Sequence, residues 1–206
     1  MTTARSIVEI SAGLRPSSAT RLLADRLAVA VTRALRTAGD EVTIEVIELR
    51  DLAHDITNNV LTGFPSTQLG QVIESVSRAD GLIVATPIFS ASYSGLFKTF
   101  FDVLEKDAIA GQPVVIAATA GTARHSLALE HAMRPLLTYH RAVVVPTSVF
   151  AATEDWGTAG PDHALASRIE RAAGELAALV DRSRSSSGPA DPYDDVVPFD
   201  QLLGRP

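Results

Sequence analysis

The sequence predicts a three-layer α/β domain, a five-stranded parallel sheet with helices on both faces. Three observations carry that expectation. Short apolar, β-branched runs alternate with longer amphipathic stretches throughout the first 182 residues. The runs at 82–85 and 143–145 show no polar alternation, as strands covered on both faces require. Five such strand–helix units follow in strict order, which marks a doubly wound sheet.

The strands are expected at residues 6–11, 41–48, 81–85, 114–119 and 142–146. The first helix is expected over 19–38, where Leu22, Leu23, Leu27, Val31 and Leu35 form one stripe and Gly39 stops it. Further helices are expected over 68–79, 95–105, 127–140 and 163–182. Pro135 places a kink or boundary in the fourth of these five helices. After Arg182 the composition changes, and 183–192, rich in Ser, Pro and Gly, reads as a flexible linker. It leads to a small apolar patch of Val196, Val197, Phe199, Leu202 and Leu203, expected to dock on its own domain rather than on a partner subunit. Residues 1–182 are thus expected to form one domain and 183–206 a tail.

Composition excludes several function classes. A chain of 206 residues can bury a full single core, and 46% hydrophobic with 20% charged residues is ordinary for a soluble globular protein. A net charge of −6 argues against nucleic acid as the main partner. The absence of cysteine removes disulfides, thiol nucleophiles and cysteine-held iron–sulfur clusters. Any redox chemistry must then run on a bound organic cofactor. No stretch resembles a signal peptide or approaches the roughly 20 apolar residues of a membrane span, so a cytoplasmic protein is expected.

In a sheet of order 2-1-3-4-5, ligands bind beyond the carboxyl ends of strands one and three, where the winding reverses. The loops after strands one, three and four are then neighbours, and they carry dense polar and glycine content. Loop one, 11–20, offers Ser11, Ser17, Ser18 and Thr20 with Arg15 at the start of a helix, a set suited to a phosphate. It contains neither GxGxxG nor Gly-Lys-Ser/Thr, so a Rossmann site and a P-loop are poorly supported. Loop two, 86–95, is stiffened by Pro87, and the small residues around Phe89 let backbone amides approach the edge of a flat polar ring. Loop three, 119–126, has Gly121 for tight backbone geometry and Thr122 and Ser126 as donors. His125 reads as a surface or capping group, and Trp156, the only tryptophan, as a core anchor.

With these loops in view, the chain resembles the flavodoxin-like NAD(P)H-dependent FMN reductases. It is most similar to those serving two-component alkanesulfonate and luciferase-type monooxygenases, in an actinobacterial branch. The resemblance runs from about Ile7 to Val149. Its specific stretches are Thr86-Pro87-Ile88-Phe89 with Ala91-Ser92-Tyr93-Ser94-Gly95-Leu96-Phe97-Lys98, and Ala118–His125 continuing to Met133-Arg134-Pro135. The resemblance implies that Ser11, Arg15, Ser18 and Thr20 hold the FMN phosphate. It implies that Pro87, Ile88, Phe89 and Ser90 line the flavin, with Thr119, Gly121 and Thr122 on its pyrimidine side. Ser-Ala-Gly-Leu-Arg stands where many relatives have Ser-Gly-Ser-x-Arg, Thr20 where relatives often have Asn, and Ala120 in place of a glycine.

The implied chemistry is hydride transfer from NADPH or NADH to FMN, by stacking of the two rings, with no catalytic side chain and no metal. FMN serves as substrate or prosthetic group, and reduced flavin passes to a partner monooxygenase. Two alternatives remain open: a quinone- or azo-type reductase with tightly held FMN, and a flavodoxin-like electron carrier. A phosphorelay receiver is set aside because Thr86-Pro87 stands where its acceptor aspartate would be. In the sulfonate-type relatives an inserted tyrosine forms a π-helical turn at a tetramer interface, and Tyr93 occupies that place. The expectation is either a π-bulge with a homodimer or homotetramer built around 93–105, or an ordinary half-buried tyrosine capping the helix.

Overall fold

A computed structural model describes residues 4–156 and 162–183 of the chain. Ser183, expected as the first residue of the tail, ends the last helix instead; the rest of the expected tail, 184–206, lies outside the described residues, as does its apolar patch. The strands are β1 (Ala4–Ser11), β2 (Glu41–Glu48), β3 (Gly81–Phe89), β4 (Ser92–Tyr93), β5 (Pro113–Ala120), β6 (Val143–Val144) and β7 (Val149–Ala152). The helices are α1 (Ala19–Thr37), α2 (Ala53–Thr62), α3 (Thr67–Arg78), α4 (Gly95–Asp102), α5 (Arg134–Tyr139) and α6 (Asp162–Ser183).

The layered α/β architecture with a parallel sheet is as expected, but the sheet has seven strands rather than five, in the order β2-β1-β3-β5-β6. The two additional strands have local causes. The expected fifth strand is broken at Pro146, so that Val143–Val144 pairs with the start of β5 and Val149–Ala152 with its end. β4 is a two-residue antiparallel partner of Ile88 and Phe89. It folds back through Ser90 and Ala91, both at positive φ (48° and 71°), the backbone of a two-residue hairpin turn. The segment read as loop two is therefore a strand end and a hairpin.

Side-chain alternation along the central strands divides the core in two. Ile7, Ile83, Val115 and Ala117 face α1 and α6, while Val8, Ile10, Val84 and Ile116 face the three fully buried phenylalanines 97, 100 and 101. β2 is an edge strand with exposed Glu41 and Glu45, charges that discourage pairing with a second chain. α2, preceded by a 3-10 turn at Leu49–Leu52, was not expected from the sequence. Leu49, Leu52 and Ile56 bury its inner stripe, and Gly63 ends it in the left-handed conformation. In the segment expected as one helix over 127–140, a π-helical turn occupies Leu129–Met133, where the Arg134 N–H reaches back to the Leu129 carbonyl. Pro135 follows in the first turn of α5, where its missing N–H leaves no helix bond unmade.

Tyr93 is not part of a π-turn. It lies half-buried in β4, its ring 5.7 Å from that of Phe97, and the regular helix α4 begins two residues later. Ser94, not Tyr93, caps that helix, its Oγ accepting from the Phe97 N–H. The π-turn of this chain sits instead just ahead of Pro135, the residue at which the sequence places a kink or boundary.

Candidate functional site

β1 pairs with β3 only as far as Ser11 opposite Ala85. Beyond that point the two chains diverge, the Ala12 N–H closing on the Ala85 carbonyl, and a crevice opens between them. Pro87 can stand in a central strand here because the β1 side of β3 no longer has a strand neighbour to bond. On its other side β3 stays paired with β5 to Pro87 opposite Thr119, which brings the three loops to one rim.

That rim encloses a cleft of about 560 Å³, within the usual range of small-molecule sites. Of the residues anticipated from the sequence, it brings together Arg15, Ser18, Thr20, Pro87, Ile88, Phe89, Thr119 and Gly121. Ser11, Ser90 and Thr122 do not line it. Ser11 is fully buried and accepts the Gly13 N–H at 3.4 Å, so it shapes loop one from beneath. Ser90 turns the hairpin, and Thr122 is exposed beyond Gly121.

Each end of the cleft has its own chemistry. At one end, α1 begins with no acidic residue in its first turn, and its opening N–H groups face the loop. Ser18 Oγ is committed to capping, accepting the Arg21 N–H at 3.1 Å. It also fixes loop one: a Cβ on Gly13 would stand 2.1 Å from Ser18 Oγ, so only glycine fits. Arg15 is exposed on the same rim and supplies the positive charge. Thr20 and Thr119 share a buried hydroxyl–hydroxyl bond of 2.7 Å, which ties loop one to the end of β5. At the other end, Ile88 and Phe89 give an apolar surface, with Phe89 48% exposed.

Seven further positions line the cleft: Gly13, Leu14, Ser17, Ala19, Ala120, Thr153 and Trp156. Ser17 and its neighbours belong to the polar run already legible in loop one. Thr153 and Trp156 arrive from the turn after β7, which pairs with β5 up to Ala120 opposite Ala152 and so reaches the same rim. Trp156 is thus not simply a core anchor; it packs partly against the α1–α6 core and also forms cleft wall. His125 is exposed in a 3-10 turn, as a surface residue.

A larger groove of about 700 Å³ runs between α1 and β2. Its lining mixes Ala28, Val29, Ile44 and Val46 with Glu9, Asp25, Arg33 and Arg36, and none of the three loops after β1, β3 and β5 reaches it. Glu9 is buried beneath α1. Arg21 Nε lies 3.3 Å from it and also contacts Asp25 (2.8 Å), while Arg21 Nη1 reaches Glu48 at 3.0 Å. Burial first, and then the neighbouring Asp25 charge, push the Glu9 carboxyl up to about 7. Among the described residues there is no group of His, Asp and Glu side chains able to hold a metal ion, and no helix long and apolar enough to cross a membrane.

Residues 5–157 match the family described as NADPH-dependent FMN reductase. The chain belongs to this family. It is 33% identical over 156 residues to an FMN reductase (NADPH) of Pseudomonas aeruginosa, covering 76% of this chain and 81% of that one. It is 32% identical to the NADH-dependent FMN reductase SfnE of Pseudomonas putida, covering 84% of this chain and 91% of the relative. Among solved structures, an oxidoreductase from Corynebacterium diphtheriae superposes with a TM-score of 0.85 at 49% identity, covering 90% of this chain and all (100%) of that one. The apo form of the NADH:FMN oxidoreductase EMOB superposes with a TM-score of 0.73 at 31% identity, covering 90% and 92% of the two chains. The matched span contains the whole of the cleft, from Gly13 to Trp156.

Proposed function

We propose that this cleft binds FMN and holds it open to NAD(P)H, so that the chain is an NAD(P)H-dependent FMN reductase. The observation that carries the reading is the joining of an anion-suited helix start to an apolar ring surface across one crevice, within a chain of this family. The residues present fit the group. Arg15 and the N–H groups opening α1 suit the phosphate, and Gly13 leaves the loop close to α1 because a Cβ has no room. Pro87, Ile88 and Phe89 suit one side of the ring system, and Thr119 and Gly121 the polar edge. When bound, the flavin supplies the hydride-accepting centre.

The chain's own part is positioning. The Thr20–Thr119 bond fixes the distance between the phosphate end and the ring end, and Thr86 Oγ1 accepts the Ser94 N–H at 3.0 Å, locking the hairpin onto α4. Arg15, which stays charged, is the one ionisable side chain among the described residues of the cleft wall, and hydride transfer between stacked rings needs no proton-carrying group. The exposed rim, with Arg15 and Phe89 open to solvent, favours flavin that enters and leaves, which suits delivery of reduced flavin to a partner monooxygenase. Homodimer or homotetramer assembly is part of the same proposal.

The test is steady-state oxidation of NADH and NADPH by chain freed of flavin, with FMN, FAD and riboflavin as acceptors. The expected result is a rate that rises and saturates with FMN. No turnover with any flavin overturns the reading, and a rate that stops rising at one FMN per chain favours a tightly held prosthetic group.

A further inference from the structure

The cleft has a fourth wall that the phosphate and ring contacts of a mononucleotide leave unused. It is the turn Thr153–Trp156, carried to the rim by β7. The turn is anchored: Asp155 accepts the Ala152 N–H at 2.7 Å and lies 3.6 Å from the Arg168 guanidinium. Trp156 is half-buried, lines the cleft together with Arg15, Ser17 and Ser18, and packs against the α1–α6 core. Arg26, which is not part of the cleft wall, lies over the indole 4.9 Å from its centroid. Arg26 stands about two turns into α1, the helix whose start suits the phosphate, so the indole is a flat aromatic surface held in place on the α1 side of the cleft.

FMN ends at its phosphate. A ligand that continues through that phosphate, or enters beside it, has the α1 side of the cleft, with Trp156, still open to it. A planar base is the group such a surface suits, because stacking on an immobilised indole needs little further ordering, and a neighbouring guanidinium strengthens an aromatic stack. The Thr153 hydroxyl, exposed at the same rim, can donate to or accept from a base edge. We propose that Trp156 is a stacking platform for an adenine ring, which makes the cleft a dinucleotide site. The adenine comes from one of two sources, FAD or the adenosine half of NAD(P)H. The proposal rests on the flavin-cleft reading above.

Trp156 is the only tryptophan of the chain, so its fluorescence reports on this wall alone. The experiment is equilibrium dialysis of FMN, FAD and ADP against the full chain and its Trp156→Phe and Trp156→Ala variants, with Trp156 emission followed during the ADP titration. If FAD is the source, FAD binds about tenfold tighter than FMN to the wild type and the Phe variant, and the preference disappears in the Ala variant. If NAD(P)H is the source, ADP binds the FMN-saturated chain and quenches Trp156, and its affinity falls about tenfold in the Ala variant. The Phe variant keeps an aromatic ring, and FMN binding retained by the Ala variant separates loss of stacking from a folding defect. Affinities for FAD, relative to FMN, and for ADP that are the same with Trp, Phe and Ala at 156 overturn the proposal. A wild-type chain that binds no FMN removes the flavin-cleft reading itself.

Discussion

Replacing Glu9 by Gln should make the protein more stable in neutral and alkaline solution and change the pH dependence of its stability. Glu9 is 1% exposed on β1, close to Asp25 and Glu48, with Arg21 as the cation shared among the three. Its carboxyl is pushed from 4.5 to about 7, by burial first and by Asp25 second. Between those two values the folded chain holds a proton that the unfolded chain has released. Stability therefore falls as pH rises from 4.5 to about 7 and the loss is complete above that. At about 1.4 kcal/mol per tenfold change in proton activity, the full loss is on the order of 3 kcal/mol. Gln keeps the shape without the ionisation, and Arg21 keeps Asp25 and Glu48 as partners. The assay is urea unfolding of both proteins at steps between about pH 5 and pH 8. The difference between them isolates Glu9 from other titrating groups such as His140, whose burial lowers its pKa. The expected difference grows with pH toward about 3 kcal/mol in favour of the variant and levels off. A difference that does not vary with pH refutes the reasoning.

Three further changes probe the cleft. Arg15→Ala should weaken FMN binding by roughly ten- to a hundredfold, the worth of a charge-assisted phosphate contact, and leave riboflavin binding nearly unchanged when both are measured by dialysis. Gly13→Ala sets a Cβ against Ser18 Oγ, so it should displace the α1 cap, lower stability by about 1 kcal/mol in thermal or urea unfolding, and weaken FMN binding. Thr119→Val leaves the buried Thr20 hydroxyl without its partner and should cost about 1–2 kcal/mol of stability, with Thr119→Ser retaining most of it.

What the sequence made legible follows from what is local. Apolar β-branched runs place β1, β2, β3 and β5 to within a few residues, because burial on both faces writes itself into composition. Ser18, Ser66 and Ser94 announce their helices by capping them. α2 has no such start, since neither it nor the 3-10 turn before it has a side-chain cap. The hairpin at Ser90-Ala91 is hidden for another reason: both residues take positive φ without the Gly or Asn that normally signals it. Much of the cleft wall at the start of α1 is readable in loop one. Ser18 and Thr20 nevertheless spend their hydroxyls on a cap and on Thr119, a division that only the three-dimensional placement reveals. Trp156 is conspicuous as a residue, but its place depends on β7 running alongside β5, which no local pattern encodes.

The central claim is that flavin binds where β1 and β3 part, and not in the larger groove between α1 and β2. Amide hydrogen exchange of the full chain with and without FMN tests it most directly. The account predicts new protection in residues 11–20, 86–95 and 119–126, with little change in β2. Protection confined to β2 and the middle of α1, with those three segments unchanged, would contradict it.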